Sequence, residues 1–170
     1  NCYMSVANGE RSANRGSCAQ NCRLPYNLID GHGDTLIKNS HLLSIKDFDV
    51  SDQIPNLIEA GICSFKIEGR LKDIVYVKNN VSFLRQKLDA FLEENENYTK
   101  ASSGSCTYTF DSALNRTFNR GYTDYFVNER HQSIGSWESP KSKGQYIGKL
   151  IKTIGGAYEI ENGELLNNGE

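Results

Sequence analysis

"HLLSIKDFDVSDQIPNLIEAGICSFKIEGR", residues 41–70, sets the fold class of this chain. Its opening, "LLSIKDF", is a short apolar run of strand character. Ser51 or Asp52 then offers a helix N-cap, Ile54, Leu57 and Ile58 recur at helical spacing, and Gly61 supplies a stop. Beyond it the sequence alternates, with Cys63, Phe65 and Ile67 on one side and Ser64, Lys66 and Glu68 on the other. Strand, helix and strand in succession make a β-α-β unit, from which parallel sheets and barrels are built, so the class expected is α/β.

Downstream, Val75, Val77, Val81, Leu84, Leu88 and Leu92 form an apolar stripe that predicts a long helix over residues 72–95. "TKASSGSC" (99–106) reads as linker, and "DSALNRTFNRG" (111–121) as a short helix closed by Gly121. "GQYIGKLIKTIGGAYEIENGELL" (144–166) is strand, Gly-Gly turn, strand and turn, the start of a small antiparallel β-domain. Upstream, "RLPYNLID", "GHGD" and "TLIKN" (23–39) read as a β-hairpin, while "CYMSV" (2–6) reads as a buried strand end leading into a loop over 9–22. Three regions result: 1–100, the α/β part; 101–139, linker and short helix; 140–170, the beginning of the β-domain.

The balance of 19 Lys+Arg against 21 Asp+Glu leaves a net charge of −2, so no bulk field draws in nucleic acid, and only a local basic patch would do so. No apolar run approaches the ~18 residues of a membrane span. The 5 cysteines are an odd number, unlike a secreted disulfide framework, and a reducing cytoplasmic setting is expected. The sequons at Asn80, Asn97 and Asn115 are chance matches in an Asn-rich chain. The β-rich pattern running through "ENGELLNNGE" leads us to expect a piece of a longer protein.

Three groups of residues have chemistry to offer. Cys18 and Cys22 lie four apart in the loop "RSANRGSCAQNCR" (11–23), and Cys2 ends the segment feeding into it. Three thiolates brought together would suit zinc or an iron–sulfur cluster, whereas separate buried thiols would be small apolar residues. Cys63 faces the apolar side of its strand, and Cys106 falls in the linker. Lys66 and Glu68 share one strand face, either an exposed polar edge or a buried ion pair that stability alone rarely justifies. Arg70 stands at the strand's C-terminal end, where barrels place ligand-binding groups. Arg11, Arg15, Arg23, Arg70 and Arg120 sit in or beside loops, either gripping phosphates and carboxylates or solvated. For hydrolysis only His32, His41 and His131 are available as bases, and neither H-E-x-x-H nor a P-loop glycine pattern occurs.

Taken in order, "CYMS", "RSANRGSCAQNCR-x-x-Y", "LLSIKD", "IPNLIEAGI-x-SFKIEGRLK", "FNRGYTDYF" and "PKSKGQYIGK" resemble peptidase family U-32, the collagenase-like protease family. The resemblance implies a TIM-like barrel, of which this chain would be the C-terminal part, followed by the start of the β-domain. It also implies, in the better-understood branches, oxygen-independent hydroxylation with a 4Fe–4S cluster on cysteines, acting on tRNA uridine, ribosomal RNA cytidine or a ubiquinone precursor, with prephenate as a cosubstrate. By that resemblance Cys2, Cys18 and Cys22 are the cluster ligands, with a further cysteine expected upstream of Cys2. Arg15 and Arg23 then assist cofactor binding, and Lys66, Glu68 and Arg70 form the catalytic set at the barrel mouth. The partner implied is RNA, most of all tRNA, with a peptide substrate as the alternative that the family's name carries. Exposed strand edges of a partial barrel would favour self-association. Asp49 and Cys63 depart from the family pattern, standing where relatives carry a ligand cysteine and an aspartate.

Overall fold

The computed structural model describes residues 2–130 and 133–161. Cys2 precedes a short helix, α1 (Tyr3–Ala7), where the sequence predicted a strand end. The helix prevails because its backbone groups find partners locally: Val6 N–H donates to the Cys2 carbonyl at 3.1 Å and Asn8 N–H to that of Met4 at 3.1 Å. The hairpin forms as expected from β1 (Tyr26–Ile29) and β2 (Thr35–Ser40), paired antiparallel. Asp30 closes its turn, its Oδ1 accepting from the backbone N–H of His32 and of Asp34, each at 2.9 Å.

The strand "LLSIKDF" contracts to β3 (Asp47–Phe48), with Ile45 in an isolated antiparallel bridge to Gly135. The helix after it forms near where predicted, as a 3-10 turn at Ser51–Gln53 that runs into α2 (Ile54–Glu59) and ends at Gly61, φ +92°. Ser51 and Asp52 lie within that turn and neither caps it, Asp49 Oδ1 accepting the Ser51 N–H at 2.8 Å instead. Residues 62–70, predicted as the second strand, carry no ladder, and Cys63, Phe65 and Ile67 are exposed. A strand needs a neighbouring strand for its N–H and C=O groups, and among the described residues this segment pairs with none, its backbone bonds being the local ones of Ile62 to Leu57 and of Lys72 to Gly69. The parallel partner of β3 is instead β4 (Tyr122–Thr123), with Asp47 opposite Tyr122 and Phe48 opposite Thr123.

The long helix α3 (Ile74–Glu94) starts at Asp73, whose Oδ1 accepts the Tyr76 N–H at 2.8 Å. The valine half of its predicted stripe is not buried: Val75, Val77 and Val81 are exposed and Leu84, Leu88 and Leu92 half-buried, while Asn79, Asn80, Ser82 and Phe91 are buried. Asn79 explains the rotation. Its amide donates to the Ala113 carbonyl at 2.8 Å and its Oδ1 accepts the Ala113 N–H at 3.0 Å, so the side chain binds residue 113 as a strand would. The predicted helix over 111–121 shrinks to a 3-10 turn, Leu114–Arg116, seated on these asparagines. The last strands, β5 (Lys149–Ile154) and β6 (Ala157–Glu161), pair antiparallel around Gly155 and Gly156 as the sequence indicated.

Among the described residues the interior is notably polar. Ile54 and Phe91 are the buried apolar side chains, against Ser5, Asn21, Ser44, Ser51, Asn79, Asn80, Ser82, Asn119 and Ser136. Small polar side chains can occupy such positions because they bond to backbone groups of neighbouring loops, and among the described residues no buried side-chain nitrogen or oxygen is left without a partner.

Candidate functional site

The cysteine loop is fastened to α1. Ser5, 1% exposed, accepts the Ala19 N–H on its Oγ at 3.0 Å, and buried Asn21 donates to the Met4 carbonyl at 2.8 Å. Asn21 is fixed from the other side, its carbonyl accepting the Tyr26 hydroxyl at 2.7 Å. These bonds hold residues 18–22 against the helix that follows Cys2, so the two cysteine-bearing segments are neighbours. Within the loop Gln20 takes a left-handed φ of 56° and directs its N–H to the Cys18 sulfur at 3.4 Å.

Cys2, Cys18 and Cys22 are free thiols, the first and last exposed. Their chemistry suits iron–sulfur ligation. Among the described residues, however, no three His, Cys, Asp or Glu side chains are gathered closely enough to hold a metal ion. Neighbouring segments therefore do not amount to a preformed ligand set in this structure.

Arg70 is brought to the same loop. Its Nη2 donates to the Gly16 carbonyl at 3.0 Å, two residues before Cys18. Arg11 braces the loop from within, Nε donating to the Ser17 carbonyl at 2.9 Å. Arg15 ends the 3-10 turn Ala13–Arg15 and is exposed. Arg23 points elsewhere: Nη1 donates to Ser44 Oγ at 2.8 Å and to the Ile45 carbonyl at 3.2 Å, which makes it a clamp on the approach to β3. Lys66 and Glu68 pair at 2.8 Å in the open, their side chains 85% and 74% exposed. The hydrogen bond between them raises the Lys66 pKa and lowers that of Glu68. Arg70 and the cysteine loop thus converge, while Lys66 and Glu68 pair with each other in solvent.

A second polar centre forms around Arg120, one of the loop arginines expected to grip a carboxylate or stay solvated, with Asp47 as a partner the sequence did not indicate. Asp47 binds Arg120 twice, Oδ1 accepting from Nη1 at 2.6 Å and Oδ2 from the backbone N–H at 2.8 Å. Arg120 also donates from Nε to the Pro140 carbonyl at 3.0 Å, and its guanidinium lies 4.7 Å from the centre of the Phe118 ring. The Lys72 ammonium lies 2.9 Å from the same ring centre. Partial burial and the nearby Arg120 charge push the Lys72 pKa down. Burial pushes the Tyr122 phenol up, and its hydroxyl donates to the Leu114 carbonyl at 2.7 Å. Asp47 and Arg120 lie in two of the quoted sequence blocks, but their separation of 73 residues gives no local signal of pairing.

His41 directs Nδ1 to the Arg23 carbonyl at 2.9 Å, and His32 is exposed in the β1–β2 turn. His131 lies outside the described residues. Among those described, neither histidine ring is bonded to a hydroxyl or thiol, so no activated nucleophile is visible.

Residues 1–136 match the family model described as Peptidase family U32, and the chain belongs to that family. It is 47% identical over 169 residues to the 23S rRNA 5-hydroxycytidine synthase of Escherichia coli, covering 99% of this chain and 26% of that protein. It is 35% identical over 174 residues to a collagenase of Porphyromonas gingivalis, covering 96% and 46% of the two chains. A tRNA hydroxylation protein of Bacillus subtilis is 38% identical over 103 residues, covering 57% and 24%. The chain therefore spans from about a quarter to under half the length of these curated relatives. No solved structure matches it. Among the described residues no helix is long and apolar enough to cross a membrane.

Proposed function

We propose that the chain is part of a cytoplasmic RNA-hydroxylating enzyme whose first substrate to test is a cytidine of 23S ribosomal RNA. One observation carries this reading: 47% identity over 169 residues to a relative named for that modification. Similarity to a tRNA-directed relative extends over 103 residues, which makes the tRNA uridine expected from the sequence the second substrate to test. We further propose that the chain forms part of a TIM-like barrel in the whole protein, the parallel β3–β4 pair belonging to its sheet.

In that reading Cys2, Cys18 and Cys22 supply three thiolates to a 4Fe–4S cluster in the whole protein, which would supply redox chemistry when bound. The bonds from Ala19 and Asn21 to α1 support it by holding the two cysteine segments together. Arg70 braces the cysteine loop, and Arg15, exposed beside it, offers a fork to a carboxylate such as those of prephenate. The peptidase reading lacks a comparable support, because neither described histidine is paired with a nucleophile.

The test is mass analysis of nucleosides from ribosomal and transfer RNA of cells with and without the gene. Loss of 5-hydroxycytidine from 23S RNA, restored by the intact gene and not by one with Cys18→Ser, is expected. Unchanged RNA in the deletion strain would defeat the proposal. Iron and sulfide content of anaerobically purified full-length protein, compared with the Cys2, Cys18 and Cys22 serine variants, tests the ligand set separately.

A further inference from the structure

Lys46, on the approach to β3, faces the 133–143 segment across a cavity of about 350 Å³ whose lining also includes Trp137, Glu138 and Lys143. That volume falls within the ~300–1,000 Å³ range of small-ligand sites. Trp137 is the chain's single tryptophan, and it stays 50% exposed.

Its backbone, by contrast, is firmly held. The Trp137 carbonyl accepts the His41 N–H at 3.0 Å and the Ser40 hydroxyl at 3.1 Å. One residue earlier, Ser136 N–H donates to the Ser44 carbonyl at 2.7 Å, and both serines are buried. The indole rests on Gly135: a Cβ added there would lie 2.0 Å from Nε1, so only glycine leaves room for the ring. A large apolar ring on a fixed backbone, half open to water, is a stacking platform in the form proteins use for unpaired bases.

The charges around it match the rest of a nucleotide. Lys46 is immobilised, Nζ donating to the Ser133 carbonyl at 2.8 Å and to its Oγ at 3.3 Å, which occupies two of the ammonium's three donors. Lys143 is placed by its own N–H, bonded at 2.6 Å to the carbonyl of buried Asn119. Glu138 is among the same lining residues, an acidic neighbour that a site for phosphate alone would avoid. A carboxylate accepts well from the amino group of cytosine and opposes the carbonyl oxygen that uracil presents there.

We propose that this cavity is a nucleotide-binding subsite for single-stranded RNA, Trp137 stacking a base, Glu138 accepting from its amino group, and Lys46 and Lys143 meeting the adjoining phosphates. The inference rests on the RNA-directed reading above and adds where the strand is gripped and which base is preferred there.

The test uses the full-length gene product and labelled oligocytidine and oligouridine of equal length, with binding read by fluorescence anisotropy. Oligocytidine should bind about fivefold more tightly, the low end expected for one carboxylate–amine contact. Glu138→Gln should remove that preference, since an amide can donate to uracil. Trp137→Ala should weaken binding about tenfold while Trp137→Phe restores most of it, the signature of stacking. Lys143→Ala should flatten the salt dependence by about 0.7 in log–log slope, the loss of one phosphate contact to a single strand. Equal binding by the Trp137→Ala and parent proteins, or equal binding of oligocytidine and oligouridine by the parent, would overturn the subsite. Those outcomes leave the hydroxylation reading intact if 5-hydroxycytidine still depends on the gene. If that dependence fails while the binding pattern holds, the hydroxylation reading falls alone.

Discussion

Arg70 reaches across 54 residues of chain to donate from Nη2 to the carbonyl of Gly16, at 3.0 Å. The contact joins the end of the "FKIEGR" segment to the cysteine loop, and Gly16 is suited to it twice over. Its φ of +87° is a conformation side chains disfavour, and an added Cβ would approach Arg70 Nη1 to 3.0 Å. Gly16→Ala should therefore lower stability by about 1 kcal/mol through φ alone, read by urea unfolding. Alkylation of Cys18, followed by peptide mass analysis, should accelerate in both Gly16→Ala and Arg70→Ala. Unchanged Cys18 reactivity in both variants would show that the loop's shape does not depend on this contact.

Asp47 and Arg120 hold β3 and β4 in register through two hydrogen bonds on one carboxylate. Both side chains are largely covered, 29% and 16% exposed, so removing one partner strands the other charge. Asp47→Ala should cost about 3 kcal/mol, whereas Asp47→Ala with Arg120→Met should cost less than the two single changes added together. A urea-unfolding double-mutant cycle checks this. Strict additivity would mean that the pair carries no coupling.

Lys66 and Glu68 make the opposite case. Their ion pair is open to water, where such pairs contribute roughly 0–1 kcal/mol. Lys66→Ala and Glu68→Ala should each leave the unfolding midpoint nearly unchanged. Loss of 5-hydroxycytidine in cells carrying either variant would then report chemistry or binding, since folding is spared. Normal RNA modification by both would remove the two residues from the catalytic set.

Local sequence signals were followed faithfully wherever the backbone could satisfy itself nearby. The Gly61 stop, the turn at 31–34 and the Gly155–Gly156 turn stand where composition placed them, while the Asp73 cap and the closing bonds on Asp30 emerge only in the structure. Strands were harder to foresee, because a strand exists only beside a partner. "CSFKIEGR" alternates well and stays unpaired, whereas "YT" at 122–123 has no pattern and pairs with β3. On α3 the valine periodicity pointed to the wrong face because Asn79 and Asn80 bond the 113–117 segment through their amides. The cysteine loop stands out in the sequence, where arginine, glycine and cysteine crowd together, whereas the bond from Arg70 to its Gly16 carbonyl, 54 residues away, has no local signal. The Trp137 cavity has none either, since it is assembled from residues 46 and 133–143, far apart in the chain.

Asp89 gives the chain an acid-sensitive fastening for the C-terminal half of α3. It accepts from Arg85 one turn before it and from Lys100 at 2.9 Å, tying the helix to the segment that follows. The hydrogen bond from Arg85 holds its carboxyl below the ordinary aspartate value of 3.8, with Lys100 adding to the effect. Between the folded and unfolded pKa values the unfolded chain binds more protons, so stability rises with pH across that window. The contribution is complete above the ordinary aspartate value and disappears as pH falls through the lower, folded one. Urea unfolding followed by helical circular dichroism should thus show stability declining below about pH 4. Asp89→Asn should be less stable at neutral pH by about 1 kcal/mol and should decline less steeply in acid, because the titrating partner is gone. Parallel curves for the two proteins from neutral pH down through that window would rule out Asp89 as the group responsible.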